Sequence, residues 1–206
     1  MGGSLIRLAN WKGDTPLIDP FCGSGTIAIE ACLIAQNIAP GFNREFVSEQ
    51  WNIMPANIYD DYRDEADKMA DYDKEIEVYA SDIDPEMVEI AKRNAEEVGL
   101  SDIIKFSVKD VNTLTIDTEE PVALIGNPPY GERIGDREEV EEMYRYIGKL
   151  MKQHPFLSTY ILTSNKEFEY LVDRKATKRR KLFNGYIECT YYQYWGKKTE
   201  RKTIEN

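Results

Sequence analysis

The run Asn127-Pro128-Pro129-Tyr130 directly follows the apolar segment Ala123-Leu124-Ile125, so it reads as a stiff corner at the end of a strand. Two successive prolines rigidify the chain and remove two N–H donors, while their carbonyls remain free to accept. The Asn127 side-chain oxygen and the Pro128 carbonyl suit the two hydrogens of a planar NH₂ group, and the Tyr130 ring offers a face for a planar base. Such an amine is a poor nucleophile because its lone pair is delocalised. Two acceptors that draw it towards tetrahedral geometry, and aim it at an electrophilic methyl, supply orientation and electrostatic help without a strong base. A Pro-Pro turn leaving a strand is the plainer reading of the same four residues.

A second candidate lies at another strand end, in Asp19-Pro20-Phe21-Cys22-Gly23-Ser24-Gly25-Thr26. Its glycines allow a tight turn and let backbone N–H groups approach a ligand. No Gly-Lys-Ser/Thr follows, which excludes a P-loop; the looser dinucleotide pattern wants an acidic residue about 20 positions on. Here the next strand end comes much later, at Asp82-Ile83-Asp84-Pro85. Asp82 is placed to accept from both hydroxyls of a ribose, with Ile83 free to pack on an adenine face. Asp84 reads as the cap of the helix that Pro85 begins. Asp110, just past a third strand, would lie near the adenine amine, or is a plain turn aspartate.

The elements that must position these residues alternate. Helical spacing covers Leu5 to Trp11, with Gly13 as a stop, and strands are predicted at 16–19, 77–81, 103–108, 122–126 and 157–163. Helices are predicted at 25–37, 55–72, 85–98 and 138–152. This alternation marks an α/β fold with a mostly parallel sheet covered on both faces. In the tail, 181–183 and 186–195 flank Asn184-Gly185, a strong two-residue hairpin signal. Ligands of such open sheets bind outside the carboxyl ends of the strands, where strand order reverses.

Composition narrows the classes further. With 206 residues, 42% of them apolar, the chain can bury a substantial core, and no apolar run reaches the ~20 residues of a membrane span. Cys22, Cys32 and Cys189 lack metal-ligand spacing and leave an odd thiol, which argues for a reducing, cytoplasmic setting and against a zinc site. The single histidine, His154, reads as a surface residue before Pro155, so histidine chemistry is not expected and no metal is implied. The net charge of −11 argues against tight autonomous binding to a phosphate backbone, but residues 173–206 alone carry +6. The block Arg174, Lys175, Lys178, Arg179, Arg180 and Lys181 reads as a solvated face or a local nucleic-acid contact.

Together these motifs resemble Rossmann-like, S-adenosylmethionine-dependent amino-methyltransferases. In one large class of DNA amino-methyltransferases the Gly-rich string follows the Pro-Pro-Tyr motif; here it precedes it by about a hundred residues, which disfavours that permuted class. The longer strings from Asp19 to Glu30, Asn37 to Gly41 and Asn127 to Arg133 are similar to the ribosomal RNA guanine-amine methyltransferases that act on the large subunit. That resemblance implies a class I methyltransferase fold, a mostly parallel seven-stranded sheet with a C-terminal antiparallel hairpin. It implies that Asp19, Gly23 and Gly25 cradle the methionine part of the cofactor, with Phe21 and Thr26 in the same binding loop. Asp82 and Ile83 would serve its ribose and adenine, Asp110 its adenine, and Asn127, Pro128, Pro129 and Tyr130 would receive the target base. The partner implied is large-subunit ribosomal RNA.

Such proteins usually carry an RNA-binding THUMP domain upstream, and most of the RNA affinity would come from it. Residues 1–4 read as a remnant ahead of a single catalytic domain over 5–206. Rival acceptors are a DNA adenine amine and a protein glutamine amide, and a non-catalytic nucleic-acid-binding module is a further alternative. Arg44 and Trp51 border a groove or, for Trp51, enter the core. Glu132 and Arg133 form an ion pair or touch RNA, and the alternating Tyr186, Tyr191, Tyr192, Tyr194 and Trp195 read first as sheet packing.

Overall fold

The computed structural model describes residues 2–42, 44–55, 57–130 and 136–197. The elements run α1 (Gly2–Ala9), β1 (Leu17–Asp19), α2 (Thr26–Ala35), α3 (Ile58–Met69), β2 (Val78–Asp82), α4 (Pro85–Glu97) and β3 (Ile104–Val108). Then follow β4 (Val122–Gly126), α5 (Asp136–Gln153), β5 (Leu157–Thr163), α6 (Phe168–Leu171), β6 (Lys178–Asn184) and β7 (Ile187–Tyr194). They form one seven-stranded sheet in the order β3-β2-β1-β4-β5-β7-β6. β1 pairs in parallel with both β2 and β4, so the strand order reverses between β1 and β4. The tail supplies the antiparallel part: β7 runs against β5 and β6 against β7.

The α/β alternation is therefore present, and the element bounds agree with the periodicity to within a few residues. Three differences have physical causes. Helix α1 begins at Gly2 rather than Leu5, because Gly2 is buried against Thr26 of α2. Strand β6 begins at Lys178 rather than Lys181, since cross-strand pairing with β7 extends it from Lys178↔Gln193 to Asn184↔Ile187. The hairpin turn is Gly185-Tyr186 rather than Asn184-Gly185: Asn184 belongs to the ladder, and Gly185 takes φ +61, as the first position of a type II′ turn demands. Trp51, expected in the core, is 55% exposed beyond the 3₁₀ turn Val47–Gln50. The short α6 carries too few residues for helical periodicity to reveal it.

Apolar side chains cover both faces of the sheet. On one face Leu5, Ile6, Ala28, Cys32, Ala91 and Ala95 from α1, α2 and α4 pack against Leu17, Val78, Ala80 and Tyr191. On the other, Val140, Tyr144, Ile147 and Leu150 form one stripe of α5 and meet Leu124, Ile161 and Tyr192. Phe168 completes this layer edge-on to Tyr144, with ring centroids 4.8 Å apart. Tyr191, Tyr192 and Tyr194 are thus sheet packing, whereas Tyr186 and Trp195 are exposed. Among the described residues no helix is long and apolar enough to cross a membrane.

Candidate active site

The carboxyl ends of β1, β2 and β4 lie side by side at the reversal point, and each ends in a predicted site residue. Asp19 closes β1, Asp82 closes β2, and Asn127 follows Gly126 at the end of β4. A parallel sheet brings these positions together across more than a hundred residues of sequence because every strand points the same way.

The Gly-rich loop is latched to β2. The Cys22 N–H donates to the Ser81 carbonyl (2.9 Å) and the Gly23 N–H to Asp82 Oδ2 (2.9 Å). Asp82 Oδ1 accepts from the Asp84 N–H at 3.1 Å, so this carboxylate holds the turn while keeping lone pairs for hydroxyls. Asp84 caps α4 by accepting from the Glu86 N–H at 2.8 Å. Gly23 and Gly25 both take positive φ, and a Cβ on Gly25 would meet Ala91 of α4 at 3.1 Å. That close approach is also why Asn94 of α4 reaches the loop, donating to the Ser24 carbonyl at 2.8 Å. Asn94 is a supporting residue that sequence spacing does not reveal.

Asp19 is wholly buried. Its Oδ1 accepts from the Phe21 N–H (3.3 Å), whereas Oδ2 has no hydrogen-bond partner among the described residues. Burial pushes its carboxyl up from 3.8 to about 7; the Phe21 N–H opposes the rise and the nearby Asp82 charge adds to it. An unpartnered buried carboxyl is costly unless something cationic meets it. Helix α2 starts beside it with Gly25 as its N-cap and no side chain capping its N–H groups. An ammonium for Asp19 and a carboxylate for the α2 N-terminus are the two charges of an amino-acid group, so these residues fit the methionine part of the expected cofactor.

The remaining predicted cofactor residues are less uniform. Ile83 is 68% exposed at the end of β2, an unburied apolar side chain suited to stacking. Asp110 caps the short 3₁₀ turn Val111–Thr113 by accepting from the Asn112 N–H at 2.9 Å, which is the turn role, with its second oxygen still available. Thr26 is exposed, its hydroxyl 3.2 Å from that of Ser24. The Phe21 ring lies so close to Gly126 that a Cβ there would approach it to 2.7 Å; it forms a wall between the Gly-rich loop and the end of β4.

At the end of β4 the Tyr130 hydroxyl donates to Asn127 Oδ1 (2.8 Å) and accepts from Asn184 Nδ2 (3.1 Å). One lone pair of Oδ1 is thereby taken and one remains for an incoming amine. Tyr130 is half-buried against the same apolar cluster as Cys189, so its ring is anchored rather than free-standing. Burial raises its hydroxyl above the ordinary tyrosine range, with Cys189 adding to the rise, which keeps it protonated and excludes it as a base. Pro128 is buried and Pro129 exposed; Glu132 and Arg133 lie outside the described residues. In the basic block, Arg179 pairs with Glu169 and Lys181 with Glu188 on the edge strand β6.

A replacement of Asp82 by alanine removes the latch on Gly23 and, with it, the carboxylate expected to accept from a ribose. We expect at least a tenfold loss of cofactor affinity in calorimetric titration, from hydrogen bonds to a charged group of about 1.5–3 kcal/mol each. Unchanged binding would exclude Asp82 from the cofactor site.

Comparison with known proteins bears on the fold and the family. A family model described as the RMKL-like methyltransferase domain matches residues 2–193. The Bacillus subtilis protein YpsC, provisionally named an RNA methyltransferase, is 52% identical over the whole chain. A ribosomal RNA large subunit methyltransferase K/L of Shewanella frigidimarina is 38% identical over 94% of it. The chain spans 54% of the former and 28% of the latter. Among solved structures, SMU.472, captured with SAH, superposes with a TM-score of 0.92 at 42% identity, covering 97% of this chain and 53% of its own. A Listeria monocytogenes protein described as a predicted N6-adenine-specific DNA methylase gives 0.90 at 48% identity, covering 96% and 50%. Strand order, strand-end residues and these matches have one common account: the chain belongs to the family of RMKL-like methyltransferase domains.

Proposed function

We propose that this domain transfers the methyl group of S-adenosylmethionine to an exocyclic base amine in RNA, and more narrowly to a guanine amine of large-subunit ribosomal RNA. The observation that carries the reading is the buried, half-unpartnered Asp19 carboxyl on the strand next to the Asn127-Pro128 acceptor pair. It supports a cationic amino-acid group held beside a site built to receive NH₂. The SAH complex of SMU.472 supports the cofactor, and the names of YpsC and the Shewanella enzyme support RNA as the acceptor.

When bound, S-adenosylmethionine supplies an electrophilic methyl on a positively charged sulfur. Asp19 and the α2 N-terminus hold the amino-acid end, Asp82 the ribose, and Ile83 packs on the adenine. The free lone pair of Asn127 Oδ1 and the Pro128 carbonyl accept the two amine hydrogens and aim the nitrogen lone pair at the methyl carbon. The methyl so supplied would pass to the nitrogen held by Asn127 and Pro128, and the sulfur would keep the electrons of the bond it gives up. Neither acceptor is basic and Tyr130 is protonated, so the surplus proton leaves the amine to water. The base must leave its stack to reach the end of β4.

Tyr130→Ala removes the ring and the tether on Asn127. We expect weaker base engagement, a rise in KM for RNA of about tenfold from a lost stacking interaction, with cofactor affinity unchanged. Equal loss of both would contradict a base-side role.

The reading as a whole is tested by incubating the protein with labelled S-adenosylmethionine and either unmodified large-subunit RNA or adenine-containing duplex DNA, then identifying the labelled nucleoside by mass spectrometry. A methylated guanosine from RNA is the expected product. Methyladenine from DNA, the activity ascribed to the Listeria protein, would overturn it.

A further inference from the structure

Asn184 reads in the sequence as a turn residue, yet it ends strand β6 with its side chain in the site at the end of β4. We propose that Asn184 is a positioning residue: by donating to the Tyr130 hydroxyl, it sets which way the Asn127 carboxamide faces. This rests on the amine-methylation reading above.

The argument is one of proton bookkeeping. A tyrosine hydroxyl has one proton to give, and an amide nitrogen can only donate. Asn184 Nδ2, 3.1 Å from Tyr130 Oη, therefore occupies an acceptor position of that oxygen. The Tyr130 proton goes to Asn127 Oδ1, 2.8 Å away. If the Asn127 amide turned over, its NH₂ would face a hydroxyl already accepting from Asn184, and the tyrosine proton would exchange a carbonyl oxygen for, at best, the weakly accepting Cys189 sulfur. Tyr130 is half-buried against the apolar cluster that contains Cys189, where a poorly partnered polar hydrogen is costly. The relay thus holds Oδ1, an acceptor, in the place where the incoming amine needs one.

The fold supplies Asn184 through strand register. Arg180, Leu182 and Asn184 share one face of β6, opposite Tyr191, Cys189 and Ile187 of β7. Leu182 packs on the same cluster as Tyr130, so that face looks towards the end of β4. Moving the hairpin by one residue would turn Asn184 to the other face.

The test exploits a near-isosteric change. In Asn184→Asp the protonated carboxyl still donates to Tyr130, whereas the carboxylate accepts from it and draws the hydroxyl proton away from Asn127. Kcat for methylation of unmodified large-subunit RNA should match the wild type at low pH and fall roughly five- to tenfold below it as the new carboxyl ionises. KM for RNA and cofactor affinity should stay within about twofold, a range well below one hydrogen bond's worth of binding. Asn184→Ala should show the loss at every pH.

A second readout needs no activity. In NMR spectra of side-chain amides of the cofactor-loaded chain, the Asn127 signal should move in Asn184→Asp as the carboxyl ionises, and should move likewise in Tyr130→Phe. A pH profile parallel to the wild type, or an Asn127 signal unmoved by the change at Asn184, would overturn the proposal. If the wild-type chain transfers no methyl group to RNA, the functional reading fails and the NMR measurement alone decides the relay.

Discussion

Replacing Asn127 with alanine is expected to lower kcat for methyl transfer about 100- to 1,000-fold while leaving cofactor affinity unchanged. The magnitude is that of removing one preorganised hydrogen-bonding group from a developing charge, about 2.7–4 kcal/mol. The direction follows from geometry. Asn127 stands at the end of β4, across Phe21 from the Gly-rich loop, and its Oδ1 has one lone pair left after Tyr130 takes the other. Without that acceptor the amine keeps its lone pair conjugated and is held by one carbonyl instead of two. Asn127→Asp retains an oxygen acceptor that Tyr130 can still orient, so it should keep more activity than the alanine variant. Single-turnover kinetics with saturating cofactor would separate this from an effect on RNA binding. An alanine variant with unchanged turnover would remove Asn127 from the mechanism.

Asp19→Asn should do two opposite things: weaken cofactor binding by at least about 100-fold and stabilise the cofactor-free protein at alkaline pH. The first effect is the loss of a buried countercharge to an ammonium, on the order of 3–5 kcal/mol. The second follows from linkage. The folded carboxyl titrates at about 7 and an exposed one at 3.8, so between these values the folded state holds a proton that the unfolded state has released. Its stabilising contribution is fully present below about pH 4 and is lost as pH rises to 7. The amide cannot ionise, so the gap in melting temperature between variant and wild type should widen from pH 5 to pH 8 by roughly 2–4 °C for each kcal/mol lost. Cofactor affinity of the wild type should also fall about tenfold per pH unit below 7, because Asp19 must ionise to meet the ammonium, and this dependence should vanish in the variant. Equal cofactor affinity in both proteins, or parallel melting curves across pH, would show that Asp19 does not face the cofactor.

This buried carboxyl gives the site an electrostatic cost that, under the proposed function, the ammonium of the cofactor would relieve. A fold selected for stability alone would place an apolar residue at the wholly buried position of Asp19. The same tension recurs at Ile83, an apolar side chain left 68% exposed at a strand end. Both are placed against local preference by the strand ends that the topology gathers.

Much of this was legible in the residues themselves. Strand and helix periods report which faces are buried, and that is a local property, so the alternating α/β order and the antiparallel tail follow from the chain alone. The strand-end motifs were equally visible, because each follows an apolar run: Asp19, Asp82 and Asn127 stand at the carboxyl ends of neighbouring parallel strands. The cap at Asp84 needed only the Pro85 beside it. What the tertiary structure decided are relations between distant segments and the register between strands. Asn94 reaches Ser24 because Gly25 lets α4 approach, and Asn184 reaches Tyr130 because the hairpin turns at Gly185-Tyr186. Asp19 carries its raised pKa because packing excludes water and partners from Oδ2. Spacing along a chain encodes neither contact across a sheet nor exclusion of solvent, since both depend on which surfaces meet once the strands have paired.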